Sequence, residues 1–162
     1  MGLQLPGELV GVLGVIGINW PEADEEKLFK MGQTWLEFSG NLGGISTDAE
    51  KAALQVWTGH EGPAVEAFKQ MWDEHGGTRN LDIASNAGMG FGLGLFLYAA
   101  IVLLLKINAM IQLVILAIAI AQAIATAVAT FGASLVQIPI FRQITKTIIE
   151  TLLESAIWQV IG

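Results

Sequence analysis

Val56-Trp57-Thr58-Gly59-His60-Glu61-Gly62-Pro63 separates two stretches whose apolar residues recur every three or four positions. That spacing lines one face of a helix. Upstream, the stripe runs Leu28, Met31, Trp35, Phe38, Leu42 and Ile45. Ala49, Ala52, Ala53, Val56 and Trp57 carry it on to the turn. Gly40, Gly43 and Gly44 weaken its middle, while Thr47 and Glu50 are spaced as a capping box that restarts a helix. One long helix with a kink or short break near 43–47 is predicted. Downstream, Pro63 suits a first helical turn, and Ala64, Phe68, Met71 and His75 share a face. Gly76-Gly77 then stops the helix. Residues 22–76 therefore read as an antiparallel hairpin of two amphipathic helices, turned at Trp57-Thr58-Gly59.

Towards the N-terminus, Asn19-Trp20-Pro21 forces a turn, because proline disfavours the helical conformation in the residue before it. Pro21 and the acids Glu22, Asp24, Glu25 and Glu26 suit the start of the next helix, where negative charge complements the dipole. A short apolar helix over 6–18 precedes it, weakened by Gly11, Gly14 and Gly17. Towards the C-terminus, a helix is predicted from near Asn80. No Asp or Glu falls between Ile83 and Ile149, and the only charges there are Lys106, Arg142 and Lys146. Residues 81–130 could form one helix of about 50 residues, roughly 75 Å long. Phe131-Gly132-Ala133-Ser134 breaks it, and Pro139 opens a last amphipathic helix with Ile140, Ile144, Ile148, Leu152 and Ala156 on one side. The predicted fold class is all-α, a single domain made of an N-terminal helix (1–19), a hairpin (20–77), a long apolar helix (80–131) and a C-terminal helix (138–160).

The 162 residues are 53% hydrophobic and only 14% charged. A net charge of −7 argues against nucleic acid, whose phosphates need clustered Lys and Arg. The absence of cysteine removes disulfides and thiolate metal sites. No basic n-region precedes the first lysine, Lys27, so export would use a route other than a conventional signal peptide. His60-Glu61 begins like a zinc-protease signature, but Ala64 stands where the second histidine belongs. The acidic runs Asp24-Glu25-Glu26 and Asp73-Glu74 fit solvated helix ends better than acid–base catalysis. No catalytic residue, cofactor or metal is expected.

Gly88-Met89-Gly90-Phe91-Gly92-Leu93-Gly94 lacks the strand and lysine of a nucleotide loop. On a helix, Gly88 with Gly92 and Gly90 with Gly94 form small-xxx-small pairs where another backbone can approach. The four glycines together cost about 4 kcal/mol of helix propensity in water. Close packing, a membrane or a partner must offset that cost; the alternative is local unwinding. Residues 84–105 also have the length of a bilayer span of about 20 residues, with Lys106 as a charge at the membrane boundary.

The order of these features is distinctive. Leu5-Pro6-Gly7-Glu8-Leu9 is followed by Trp20-Pro21, Asp24 and Glu25, and then by the Trp57-Thr58-Gly59 turn. Phe68 and Trp72 come next, then the long apolar helix, Thr130-Phe131-Gly132-Ala133-Ser134 and Ile138-Pro139. The chain resembles the WXG100-like N-terminal domain of actinobacterial polymorphic toxins exported by type VII (ESX) secretion, a family that includes the N-terminal domain of the mycobacterial channel and necrotizing toxin. The resemblance implies a non-catalytic, all-helical trafficking domain that directs a fused C-terminal toxin to secretion. It implies that Trp57 and Gly59 shape the hairpin turn, and that Trp20, Pro21 and Asp24 set the entrance of the following helix. A small helical WXG100-type or chaperone partner, or self-association, would cover the apolar faces, and the protein would be secreted or associated with the cell envelope. Tyr98 is followed four residues on by Val102, so the tyrosine–acid export tag of secreted partners is absent. The apolar end at Val160-Ile161-Gly162 suggests a piece of a longer protein. Two other functions fit the composition: a membrane-inserting helix bundle that aids translocation or forms a pore, and a structural assembly subunit.

Overall fold

The computed structural model describes residues 2–161, with side chains through Trp158. The apolar end at 160–162 lies outside the described side chains. The described residues form five α-helices and no strand: α1 (Gly7–Ile16), α2 (Glu25–Gly59), α3 (Pro63–Glu74), α4 (Arg79–Thr126) and α5 (Gln137–Ile161), with a short 3-10 turn at Ala133–Val136 before α5. The all-α expectation holds. The chain divides into two compact units. One is Leu28–Leu97; the other combines Met1–Lys27 with Tyr98–Gly162.

In the Leu28–Leu97 unit, α2 and α4 meet along a seam of small residues. Gly32, Ser39 and Ser46 of α2, seven positions apart, are all buried, as are Gly88 and Gly92 of α4. A seven-residue repeat is the seam spacing of helices packed side by side. A Cβ built on Gly92 would lie 2.9 Å from the carbonyl oxygen of Gly32, and one on Gly32 would lie 3.0 Å from the carbonyl oxygen of Gly92. The Ser39 hydroxyl donates to the Ser85 carbonyl oxygen at 2.7 Å, and the Ser85 hydroxyl donates to the Ser39 carbonyl oxygen at 2.9 Å. The Ser46 hydroxyl donates to the Asp82 carboxylate.

This seam corrects the apolar stripe expected from the sequence. Met31, Trp35, Phe38 and Ile45 are exposed, flanking the seam instead of filling it. Backbones this close leave no room for a large side chain between them. The large residues pair along the rim, with Trp35 edge-on to Phe91 at 4.9 Å and Phe29 stacked on Phe96 at 4.7 Å. Of the kink or short break expected near 43–47, the break is absent. α2 runs unbroken, and Thr47 donates back to the Gly43 carbonyl oxygen at 2.9 Å instead of capping a new helix.

The other unit has a conventional core. Leu9, Leu13 and Ile16 of α1, Ala109, Leu113 and Leu116 of α4, and Ile149 of α5 form one buried cluster. Trp20 packs against it, and its indole nitrogen is buried without a hydrogen-bond partner. Burial on α4 follows alternating steps of three and four through Ala99, Val102, Lys106, Ala109, Leu113 and Leu116. This stripe is narrow. Leu104, Ile111, Ile115 and Ile118 stay about half exposed on the same helix. Among the described residues of α5 the buried positions are Thr145 and Ile149, one position round from the expected face, of which Ile140, Ile144 and Ile148 are exposed and Leu152 and Ala156 half-buried.

The helix ends follow local chemistry. α2 begins at Glu25, four residues later than Pro21 suggested, because the Asp24 carboxylate accepts the Lys27 backbone N–H at 3.1 Å and caps the first turn. α4 stops at Thr126. Phe131 and Gly132 then take positive φ angles of 48° and 83°, and the Ser134 hydroxyl donates to the Ala123 carbonyl oxygen at 2.7 Å, satisfying a group in the last helical turn.

Candidate functional site

Trp57, Thr58 and Gly59 form the last turn of α2. Thr58 turns its hydroxyl back onto the Leu54 carbonyl oxygen at 2.8 Å, which suits a residue inside a helix. The chain reverses over His60–Gly62, and Gly62, with φ 126°, occupies a backbone conformation that side chains rarely adopt. The reversal therefore needs Gly62, a residue to which the sequence had assigned no role. Gly59 is helical, and nothing lies within 4 Å of where its Cβ would be. No steric demand of the described residues requires glycine at 59.

Trp57 is held by an aromatic group from α3. Its ring lies 6.0 Å from Phe68 and 6.4 Å from Trp72, and those two rings are 5.9 Å apart. The Trp72 indole N–H donates to Glu50 of α2 at 3.2 Å. Three rings in contact fix the angle at which α3 leaves α2, since such pairs contribute about 0.5–1.5 kcal/mol each beyond area burial. Beside them, Trp57, His60, Glu61, Gly62, Val65, Glu66 and Lys69 line an open groove of about 410 Å³. At the other end of α3, Gly76 and Gly77 take positive φ, and the Gly77 N–H returns to the Trp72 carbonyl oxygen at 2.8 Å. The aromatic group is thus fixed between a glycine turn at each end of α3.

The remaining singled-out residues fall in different places. Gly88 and Gly92 face α2, with Ser39 Cβ 3.4 Å from a Cβ built on Gly88. Gly90 and Gly94 look into open space. All four lie inside α4, which does not unwind there. Asp24 caps α2, and the Lys27 N–H is the main influence holding its carboxyl below the ordinary range. Trp20 belongs to a hydrophobic core, and Pro21 lines an apolar groove of about 290 Å³ with Tyr98, Val102 and Leu153.

Lys106 is placed differently from the boundary role its sequence context suggested. It is 1% exposed. Its ammonium donates to Glu25 Oε2 at 2.9 Å and to the Ala23 carbonyl oxygen at 2.6 Å. A lysine in a charge-free run snorkels to water only if water is within reach; here a carboxylate from the start of α2 meets it first. Among the described residues, no group of three or more His, Asp or Glu is placed to hold a metal ion.

Residues 4–148 match the family described as WXG100 like domain. The chain belongs to that family. It is therefore a helical protein related to type VII secretion, of a kind that pairs with helical partners or self-associates. No curated protein and no solved structure matches the chain.

Proposed function

We propose that this chain is a non-catalytic trafficking domain that directs a C-terminal toxin, fused to it, into an actinobacterial ESX-type secretion machine, as in the polymorphic toxins it resembles. Membership of the WXG100-like family over residues 4–148 carries this proposal. The aromatic group of Trp57, Phe68 and Trp72 supports it, because it gives the hairpin tip a fixed shape that a secretion component or helical chaperone could read. The exposed large residues Met31, Trp35, Phe38 and Phe91 offer such a partner an apolar strip beside the seam.

The test is export of a reporter fused after residue 162, in a host with a type VII system and in the same host lacking that system's ATPase. Reporter in the medium of the first strain and retained in the second is the expected result. Equal amounts in both media, or in neither, would sink the proposal.

One observation favours a membrane role as a second function. α4 is long and apolar enough to cross a bilayer, and the most apolar window of the stretch that contains it is only 28% buried. Vesicle flotation of the purified chain separates the two: export without flotation leaves the trafficking role alone.

A further inference from the structure

The Glu25 carboxylate joins three parts of the chain within one unit. Its Oε2 accepts the Lys106 ammonium from the middle of α4, at 2.9 Å. Its Oε1 accepts the Leu3 backbone N–H from the N-terminal segment. It stands itself at the first residue of α2. Gly2 is buried against the same carboxylate, so closely that a Cβ on Gly2 would lie 2.6 Å from Oε2.

The segment so held covers apolar surface. Leu3 lines a groove of about 350 Å³ on α4 with Ile107, Met110, Ile111, Val114 and Ile115, and no charged residue contributes to it. Leu5, two residues on, packs against the core of α1, α4 and α5. Between them, Gln4 turns its side-chain amide onto the Gly2 carbonyl oxygen at 3.1 Å, a bond within the segment that ties it to nothing else. Residues 2–5 are thus anchored on the rest of the unit by two neighbouring carboxylates: Glu25, which also neutralises Lys106 and takes the Leu3 N–H, and Asp24, which takes the Gly2 N–H.

We propose that Gly2–Leu5 is a strap that lays Leu3 along the α4 groove as one of its walls, and that the Glu25–Lys106 pair is its latch. The two functions of the carboxylate are coupled by charge. While Lys106 is buried, Glu25 is held ionised and in place, and an ionised carboxylate is the stronger acceptor for the Leu3 N–H. Loss of the Glu25 carboxylate removes that acceptor, loosens the strap and takes Leu3 away from Ile107, Ile111 and Ile115, which are already about half exposed, so that more of their apolar surface meets water. This inference does not depend on the export proposal.

The test is amide hydrogen exchange on the full chain, read residue by residue, together with the fluorescence of 1-anilinonaphthalene-8-sulfonate. Glu25→Leu alone strands a buried ammonium and can unfold the unit, so the deciding variant is the double substitution Glu25→Leu/Lys106→Met, which removes both charges and keeps apolar volume. In that variant the Leu3 amide should exchange at least tenfold faster, the dye signal should rise, and amides over 109–116 should keep their protection. A folded double variant with unchanged Leu3 exchange and unchanged dye signal overturns the latch, because burial of Leu3 and Leu5 and the Gly2 bond to Asp24 would then suffice. Loss of protection over 109–116 as well overturns it too, by showing that the pair supports the whole core and not the strap. The single variant Lys106→Met supplies a control, in which Glu25 can still accept from Leu3 and the strap should loosen by less than in the double variant.

Discussion

The two halves of α4 are buried by opposite means. Over Gly88–Phe96 the helix presents glycine to the backbone of Gly32 on α2, and hydroxyl–carbonyl bonds between Ser39 and Ser85 tie the pair. Over Val102–Leu116 it presents aliphatic side chains to α1 and α5, interrupted by one buried ammonium. Buried positions keep to one helix face in both halves, Gly88 and Gly92 four apart in the first and Val102, Lys106, Ala109, Leu113 and Leu116 by threes and fours in the second. What differs is side-chain size, and with it the kind of damage a substitution does. In the first half an added atom is the danger; in the second, a lost atom or a lost charge.

The largest effect should come from the charge. Glu25→Ala leaves Lys106 buried without its counter-ion, and breaking a buried pair in this way costs about 3–5 kcal/mol. Chemical denaturation of that variant and of Glu25→Leu/Lys106→Met gives the contrast, with the double variant expected close to the parent. A smaller effect is expected at the glycine seam. Gly92→Ala pushes a methyl group against the Gly32 carbonyl oxygen and should destabilise by about 1–3 kcal/mol. Its neighbour Gly90 faces open space, so Gly90→Ala should stabilise by up to about 1 kcal/mol through helix propensity alone. Opposite signs two residues apart, read in the same denaturation experiment, would be hard to produce by any other packing of α4. Equal signs would break the comparison.

The pH dependence follows from Glu25. Burial alone would raise its carboxyl, but the Leu3 N–H and the Lys106 ammonium outweigh that, and it sits below the ordinary value of 4.5. A carboxyl lowered on folding contributes stability that is full above the unfolded value and is lost as pH falls through the folded one. The melting temperature should therefore be flat down to about the ordinary glutamate value and fall below it. The fall should be shallower in Glu25→Leu/Lys106→Met. Asp24, lowered by the Lys27 N–H, adds a fall of the same sign in both proteins.

The positions of the helices were legible in the sequence for local reasons. Gly76-Gly77 marks a real end, because its positive φ angles cannot continue a helix, whereas α4 already stops at Thr126, five residues before the break expected at Phe131-Gly132. The long, nearly uncharged run does form one helix, whose 48 residues carry charge only at Arg79, Asp82 and Lys106. The seam on α2 was not legible. Large apolar residues were expected inside, yet close approach selects the smallest side chains, and the stripe shifts by one position to Gly32, Ser39 and Ser46. Their seven-residue spacing was the signal available, hidden because serine and glycine carry little hydrophobic weight. The Glu25–Lys106 pair spans 81 residues of sequence. A lone lysine in an apolar run demands a counter-ion, but nothing local says which of the front half's acids supplies it. At the hairpin tip, the Trp57 position was legible and the turning residue was not: the chain reverses at Gly62, past the Trp57-Thr58-Gly59 tripeptide.

That tip is where the functional account is most exposed. Trp57→Ala removes one ring from the aromatic group without touching the α2–α4 seam or the Glu25–Lys106 pair, so the variant should keep its helical content and cooperative melting. The most direct measurement is the amount of fused reporter that reaches the medium from this variant in a host with an intact type VII system. The trafficking account predicts that a folded Trp57→Ala fusion stays in the cells while the parent fusion is exported. Export of the folded variant at the parent's level would contradict it.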